Sequence, residues 1–316
     1  MHPVFAVADL GTNTFHLLIA RSGSRAPLDV LYRDRYFVKL ARAGIEHIPD
    51  AAVRDALQAA RAFRTALDRH SVTDISILGT AALRTADNAA SLTHQLEAVL
   101  GHPIRIIDGQ EEARLIATGV RSLLRQHPGT HLVLDIGGGS VELILLDQHG
   151  IISSVSLPLG IAVLHHRFHQ HEPIRSDELT LMREHIIGKV RPWLAQLQNT
   201  PIKSLIGASG IFDVLADLDL HPDMLLCPIP KARIQDVTRQ VTTMDLSSRK
   251  RLPGLPEERA DLIVSAMNLI DVLIEEVHPE EIYTSAYAMK EGELLERMAG
   301  KGHSSSVDLS PDGRPI

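Results

Sequence analysis

Short apolar runs bounded by polar turns alternate with longer amphipathic stretches along the chain, and their lengths assign the elements. Runs at 4–8, 14–21 and 28–40 read as strands. Ala52, Ala56, Ala59, Ala60, Phe63 and Leu67 recur at helical spacing and predict a helix over 50–69, with Asp50 as its cap. A strand at 75–78, a helix over 88–100, a strand at 104–107 and a helix over 110–124 follow. Gln126-His127-Pro128-Gly129 then breaks the pattern, and the second half begins as the first did, with strands at 131–135, 141–147 and 151–157. Helices over 160–170 and 176–198, a strand at 204–206, helices over 210–218, 230–243 and 257–276, a strand at 282–284 and a helix over 287–299 complete it. Three consecutive strands followed by alternating helices and strands, twice over, predict an α/β protein of two mixed-sheet domains, 1–127 and 128–300. The Ser-, Gly- and Pro-containing tail at 301–316 is expected to lack structure.

The polar breaks between the first two strands of each half have related sequences. Asp9-Leu10-Gly11-Thr12-Asn13-Thr14 leads into Phe15-His16-Leu17-Leu18-Ile19, and Asp135-Ile136-Gly137-Gly138-Gly139-Ser140 into Val141-Glu142-Leu143-Ile144-Leu145. Each is strand, tight turn, strand. Glycine lets the backbone approach an anion closely, successive N–H groups point into the concavity, and Thr14 or Ser140 adds a hydroxyl donor. Gly11, Asn13 and Thr14 on one side and Gly137, Gly138, Gly139 and Ser140 on the other are therefore candidate phosphate-binding residues. Asp9 and Asp135 lead the two turns and supply the hard oxygen atoms that magnesium shares with substrate phosphates. Glu142, on the other arm of the second hairpin, is the third candidate metal residue. Gly207, Ser209 and Gly210 open a helix after a strand, a further anion or nucleotide site.

Composition narrows the partners. Of 316 residues, 44% are hydrophobic and 22% charged, as in soluble globular proteins, and an aromatic share of 3% leaves few stacking platforms for single-stranded nucleic acid. A net charge of −7 argues against nucleic-acid binding across the surface, while leaving room for a phosphorylated ligand held locally by amides, magnesium and a few arginines. A single cysteine, Cys227, excludes an internal disulfide and a cysteine-rich metal site. No basic-then-apolar leader and no run long enough to span a bilayer are seen, so a cytoplasmic protein without a membrane partner is expected.

Further segments join the two hairpins: Gly79-Thr80-Ala81-Ala82-Leu83-Arg84, Gly109-Gln110-Glu111-Glu112-Ala113-Arg114-Leu115, Ser156-Leu157-Pro158-Leu159-Gly160, Gly207–Gly210, Arg259-Ala260-Asp261 and Lys290-Glu291-Gly292. In this order the motifs resemble the Ppx/GppA phosphatase family of exopolyphosphatases and guanosine pentaphosphate phosphohydrolases, in its short two-domain form. The resemblance covers Val4 to about Leu295. It implies two RNase H-like domains of the actin-like ATPase superfamily with the active site in the cleft between them. It also implies magnesium-dependent removal of the terminal phosphate from inorganic polyphosphate or guanosine pentaphosphate, and a homodimer. Glu112 falls where the family's proposed catalytic glutamate does, and attack on a phosphoryl group needs such a base to take a proton from water. Arg84 matches the family's phosphate-contacting arginine. Lys290 stands where the family usually has arginine, which forfeits a bidentate contact.

Alternative activities fit less well. A kinase of the same superfamily would need a sugar pocket and a large adenosine-binding subdomain, and a non-catalytic polyphosphate or nucleotide sensor would not require Glu112, Asp135 and Glu142. Among the remaining features, His165, His166, His169 and His171 read as a solvated histidine-rich helix end. Arg249-Lys250-Arg251 reads as a soluble loop, Arg259 and Asp261 as a structural pair or a brace of the cleft, and Lys39 as an additional phosphate contact.

Overall fold

The computed structural model describes residues 3–23, 26–197, 200–218 and 224–300; the tail at 301–316 lies outside the described residues. The first sheet is built from β1 (Phe5–Leu10), β2 (Thr14–Ser22), β3 (Leu28–Phe37), β4 (Asp74–Gly79) and β5 (Arg105–Ile106), in the order β3-β2-β1-β4-β5. The first three strands are antiparallel, and β4 and β5 run parallel to β1. The second sheet repeats the plan: β6 (His131–Ile136), β7 (Val141–Leu146), β8 (Ile151–Leu157), β9 (Ser204–Gly207), β10 (Leu226–Pro228) and β11 (Glu281–Ser285), in the order β10-β11-β9-β6-β7-β8. The expected pair of RNase H-like sheets is thus present. Unforeseen in the sequence is β10, a three-residue antiparallel edge that is too short for a periodic signal and holds Pro228 where a missing N–H is tolerated.

The helices are α1 (Asp50–Arg69), α2 (Ala81–Thr85), α3 (Ala89–Leu100), α4 (Gly109–Arg121), α5 (Ile161–Phe168), α6 (Ser176–Leu194), α7 (Gly210–Leu218), α8 (Lys231–Thr243), α9 (Leu246–Arg249), α10 (Ile263–Val277) and α11 (Met289–Gly300). Strand alternation sorts the core into layers. On the first sheet Ala6, Ala8 and Leu10 pack on α1 and α3 through Ala56, Phe63, Leu92 and Leu96. Its other face, with Phe5 and Val7, joins Leu115 and Ile116 of α4, Leu294 and Met298 of α11, and Val133, Ile144 and Leu146 of the second sheet. The far face of the second sheet, with Leu132, Leu134, Leu143 and Leu145, is covered by α5, α6, α8 and α10. Burial on both faces makes β1 and β6 read as unbroken apolar runs.

Helices α4 and α11 form the middle layer, and their crossing explains two glycines. A Cβ on Gly292 would lie 1.9 Å from the carbonyl oxygen of Leu115, and one on Gly119 would lie 2.4 Å from that of Ala288. The obstacle in both cases is backbone, so only glycine permits this approach. Because α4 carries Glu112, the crossing also sets the depth of that residue in the cleft.

Several local expectations change. Asp50 is the first residue of α1, not its cap: Pro49 occupies that position with no side-chain cap bond. The helix predicted over 257–276 is broken into a short 3-10 turn (Glu257–Arg259) and α10. The break coincides with Arg249, expected on a soluble loop but fully buried; its guanidinium donates to the carbonyls of Ala260 at 2.8 Å and Met244 at 2.7 Å and pairs with Glu172 at 2.6 Å. A guanidinium can be buried when its donors are matched in this way. His169 is buried and His165 largely so, their rings 4.9 Å apart, which overturns the solvated helix end; His166 and His171 do stay exposed.

Gly292→Ala is expected to lower stability by about 2–3 kcal/mol, because one methyl must displace the main chain of α4. Thermal melts of the purified variant and wild type check this; equal midpoints would contradict the close crossing.

Candidate active site

The two polar hairpins have the same turn geometry. Gly11 N–H donates to the Thr14 carbonyl at 3.2 Å, and Gly137 N–H to the Ser140 carbonyl at 3.0 Å. The bends meet tip to tip: a Cβ on Gly138 would come 3.1 Å from atoms of Thr12 and Asn13, and one on Gly139 would come 2.9 Å from Ala81. On one side the Asn13 carbonyl accepts from Val38 and Lys39 N–H, both at 3.0 Å. On the other, the carbonyls of Gly139, Gly137 and Gly138 accept from the N–H groups of Gly160, Ile161 and Ala162 at the start of α5. The glycine carbonyls are therefore drawn back onto α5. Among the described residues the N–H groups of Gly138 and Gly139 donate to no protein acceptor.

A cleft of about 550 Å³ opens beside these bends. Of the residues predicted from sequence, Asp9, Gly11, Asn13, Thr14, Glu112, Asp135, Gly137, Gly138, Gly139, Ser140, Ser209 and Gly210 line it. Three do not. Gly207 lies beneath Phe212, whose ring would stand 2.1 Å from a Cβ there, so its glycine serves packing. Glu142 is almost wholly buried, directly across the hairpin from Asp135. Arg84, on α2, donates to the Ile107 carbonyl at 2.5 Å and lies 3.8 Å from Glu112 Oε2.

Electrostatics concentrates on the carboxylates. Burial pushes Asp9 up to about 7, with Lys290 opposing, and pushes Glu142 to about 7 against the hydroxyls of Ser156 and Ser140. Asp135 is raised well above the ordinary carboxylate range by burial, then by Glu142 and Asp9. Glu112 is likewise raised well above it by burial, then by Glu142, Asp135 and Asp9, with Arg84 opposing. Four carboxylates thus feel one another in one desolvated place. Among the described residues no three metal-ligating side chains converge on a single point.

Other cleft residues stand outside the candidate set, although alternation along 32–42 already puts Arg33 and Arg35 among charges that can share one sheet face. Thr12 is buried and its hydroxyl accepts from Ala82 N–H at 3.0 Å, bracing α2 against the first bend. His16, Arg33, Arg35, Arg259 and Lys290 also line the cleft. Burial, then Lys290, Arg259, Arg35 and Arg33, hold the His16 imidazole well below its usual pKa. Period-two alternation on β3 is the signal that places Arg33 and Arg35 together. Arg259 and Asp261 are not paired with each other: Arg259 stacks over Phe37 and abuts Gly210, while Asp261 takes Lys39 at 2.5 Å. That ion pair also removes Lys39 as an expected phosphate contact.

The fold and site define an α/β protein with a duplicated glycine-containing hairpin beside a cleft that holds a cluster of buried carboxylates. The Ppx/GppA phosphatase family model matches residues 18–300, and the chain belongs to that family. It is 29% identical over 303 residues to a guanosine-5'-triphosphate,3'-diphosphate pyrophosphatase of Vibrio vulnificus, covering 94% of this chain and 60% of that protein. The chain thus spans about three fifths of the length of this relative. An exopolyphosphatase structure from Cytophaga hutchinsonii shares 30% identity with a TM-score of 0.87, covering 96% of this chain and 99% of the other. A family member from Aquifex aeolicus shares the fold at 19% identity, with a TM-score of 0.77 over 96% of this chain and all of the other. No helix among the described residues is long and apolar enough to cross a membrane.

The raised carboxylates give a pH prediction. An acid whose folded pKa exceeds its unfolded value of about 4 binds more protons when folded, so its contribution to stability declines as pH rises toward the folded value. For Asp9 and Glu142 the window runs from about 4 to about 7. In chelator, the melting temperature is expected to fall by several degrees between pH 5 and pH 8 and to recover at pH 8 on adding a divalent cation. A flat profile in both conditions would contradict the burial of these carboxylates.

Proposed function

We propose that this protein is a phosphohydrolase that removes the terminal phosphate of a polyphosphorylated anion, inorganic polyphosphate or guanosine pentaphosphate, with magnesium. The observation that carries this reading is Glu112: its Oε2 is buried, has no hydrogen-bond partner among the described residues, and stands among Asp9, Asp135 and Glu142 beside the two glycine-containing bends. Burial among like charges raises the basicity that proton abstraction requires. The Vibrio pyrophosphatase and the Cytophaga exopolyphosphatase, to which the chain is similar, support the substrate class.

The donor set fits magnesium. All the groups are hard carboxylate oxygens, those of Asp9 and Asp135 line the cleft, and magnesium takes one or two protein carboxylates and completes its shell with substrate phosphates and water. Asp135 and Glu142 would hold it, with Asp9 facing them. Bound there, magnesium supplies charge neutralisation at the phosphoryl oxygens.

The remaining work belongs to the chain. Gly138 and Gly139 offer backbone N–H groups, and Thr14 and Ser140 hydroxyls, to orient the terminal phosphoryl group. Glu112 Oε2 accepts the proton of the attacking water as its oxygen bonds to phosphorus and the anhydride P–O bond opposite breaks. Arg84, at 3.8 Å from Glu112, adds positive charge near the transferring group. Arg33, Arg35, Arg259 and Lys290 line the part of the cleft where the remaining phosphates would lie. The family resemblance favours a homodimer, and the buried single thiol of Cys227 suits a reducing cytoplasm.

Glu112→Gln is expected to reduce kcat for phosphate release at least about 100-fold with KM little changed. Release is measured from polyphosphate of defined length and from guanosine pentaphosphate, with magnesium and with chelator. Retained turnover would remove Glu112 as the base, and no release from either anion would sink the assignment. Asp135→Asn is expected to raise the magnesium concentration for half-maximal activity about tenfold, and an unaltered metal titration would count against its role.

A further inference from the structure

Ser156 belongs to a segment whose end closes the glycine turn, yet its own side chain points elsewhere. It is the cross-strand partner of Glu142 on β7 and β8, and its hydroxyl donates to Glu142 Oε1 at 2.7 Å. The same side chain is the seat of α4. A Cβ on Gly109, the first residue of that helix, would lie 2.4 Å from Ser156 Cβ and 2.5 Å from Ser156 Oγ. The start of α4 is further fixed by Asp108, whose carboxylate accepts from Gln110 and Glu111 N–H at 3.0 Å and 2.8 Å. Glu112 lies one helical turn on from Gly109. A single small side chain therefore touches the innermost carboxylate of the second hairpin and the helix that carries Glu112.

We propose that Ser156 is a positioning residue that orients Glu142 for the metal and sets the spacing between Glu142 and Glu112. This rests on the reading of Glu112 as base and Glu142 as a metal residue. The hydroxyls of Ser156 and Ser140 both hold this buried carboxylate, and only that of Ser156, on Oε1, belongs to a side chain that also seats α4. Asp135 is the neighbour of Glu142 across β6 and β7. Partners of this kind behind a metal-binding carboxylate typically contribute 10- to 100-fold to affinity or activity. The Gly109 contact explains why the hydroxyl is presented by serine: the floor under α4 has little space for a larger residue, and the glycine opposite it has no side chain to withdraw.

A matched pair of variants separates the hydroxyl from the packing. Ser156→Thr and Ser156→Val have nearly the same shape and both crowd Gly109, but only threonine keeps the donor. Magnesium binding to the substrate-free, full-length protein is measured by calorimetry, and kcat and KM for polyphosphate are measured alongside. The expected result is that Ser156→Val binds magnesium at least about tenfold more weakly than Ser156→Thr and has a correspondingly lower kcat, while KM at saturating magnesium agrees within about twofold. Equal magnesium affinity and equal kcat for the two variants would overturn the proposal, since a purely structural role treats them alike. Should both variants fail to fold, Ser156→Ala against wild type gives the same readouts: a loss of about tenfold in magnesium affinity supports the proposal, and unchanged affinity overturns it. Glu112→Gln and Glu142→Gln run in parallel. If they lose turnover while the serine variants match, only Ser156 is misassigned; if they retain it, the reading of the site itself fails.

Discussion

Four acidic side chains in one desolvated place are the constraint around which the molecule is arranged. Asp9, Glu112, Asp135 and Glu142 come from four different elements, β1, α4, β6 and β7, and Asp9 and Glu142 raise the proton affinity of both Asp135 and Glu112. In isolation this is a cost, because buried like charges repel and lose hydration. The structure offsets part of it with Arg84 near Glu112, Lys290 near Asp9 and hydroxyls on Glu142. What remains is an affinity for cations and protons in a cleft that Arg33, Arg35, Arg259 and Lys290 also line. Carboxylates and cationic side chains in one cleft suit a metal-phosphate complex better than either component alone.

The scaffold presenting these groups is symmetric and its chemistry is not. Both hairpins close with the same glycine-to-hydroxyl-residue backbone bond and both begin with aspartate. Opposite Asp9, however, stands His16, whereas opposite Asp135 stands Glu142. The first copy thus keeps one carboxylate beside a ring held neutral by burial and surrounding cations, and the second keeps a carboxylate pair. The two hairpins thus share their backbone bend and differ in chemistry at one pair of equivalent positions.

Reading the chain before folding it recovers some residues better than others. Positions whose role follows from backbone geometry, such as Gly11, Gly137, Gly138 and Gly139, are where local pattern placed them, since a tight bend at an anion site permits few residue types. Residues whose partners are distant in sequence were misjudged. Lys39 was expected at phosphate and is held by Asp261, 222 positions away. Arg249 looked like a surface charge and is buried against Glu172, Met244 and Ala260. His169 looked solvated and is buried beside His165. Gly207 looked like part of an anion loop and makes room for a ring.

The division has a physical cause. Hydrophobic period, turn composition and the repeated Asp-x-Gly bend are local properties, so the sequence by itself determined the two mixed sheets, the order of their elements and the chemical kind of site. Which carboxylates share a dielectric, which cation faces which acid, and how deep α4 carries Glu112 depend on contacts between segments more than a hundred residues apart. Those were decided only when the bare backbone at Gly119 and Gly292 let two helices cross at close range and brought both hairpins to one cleft.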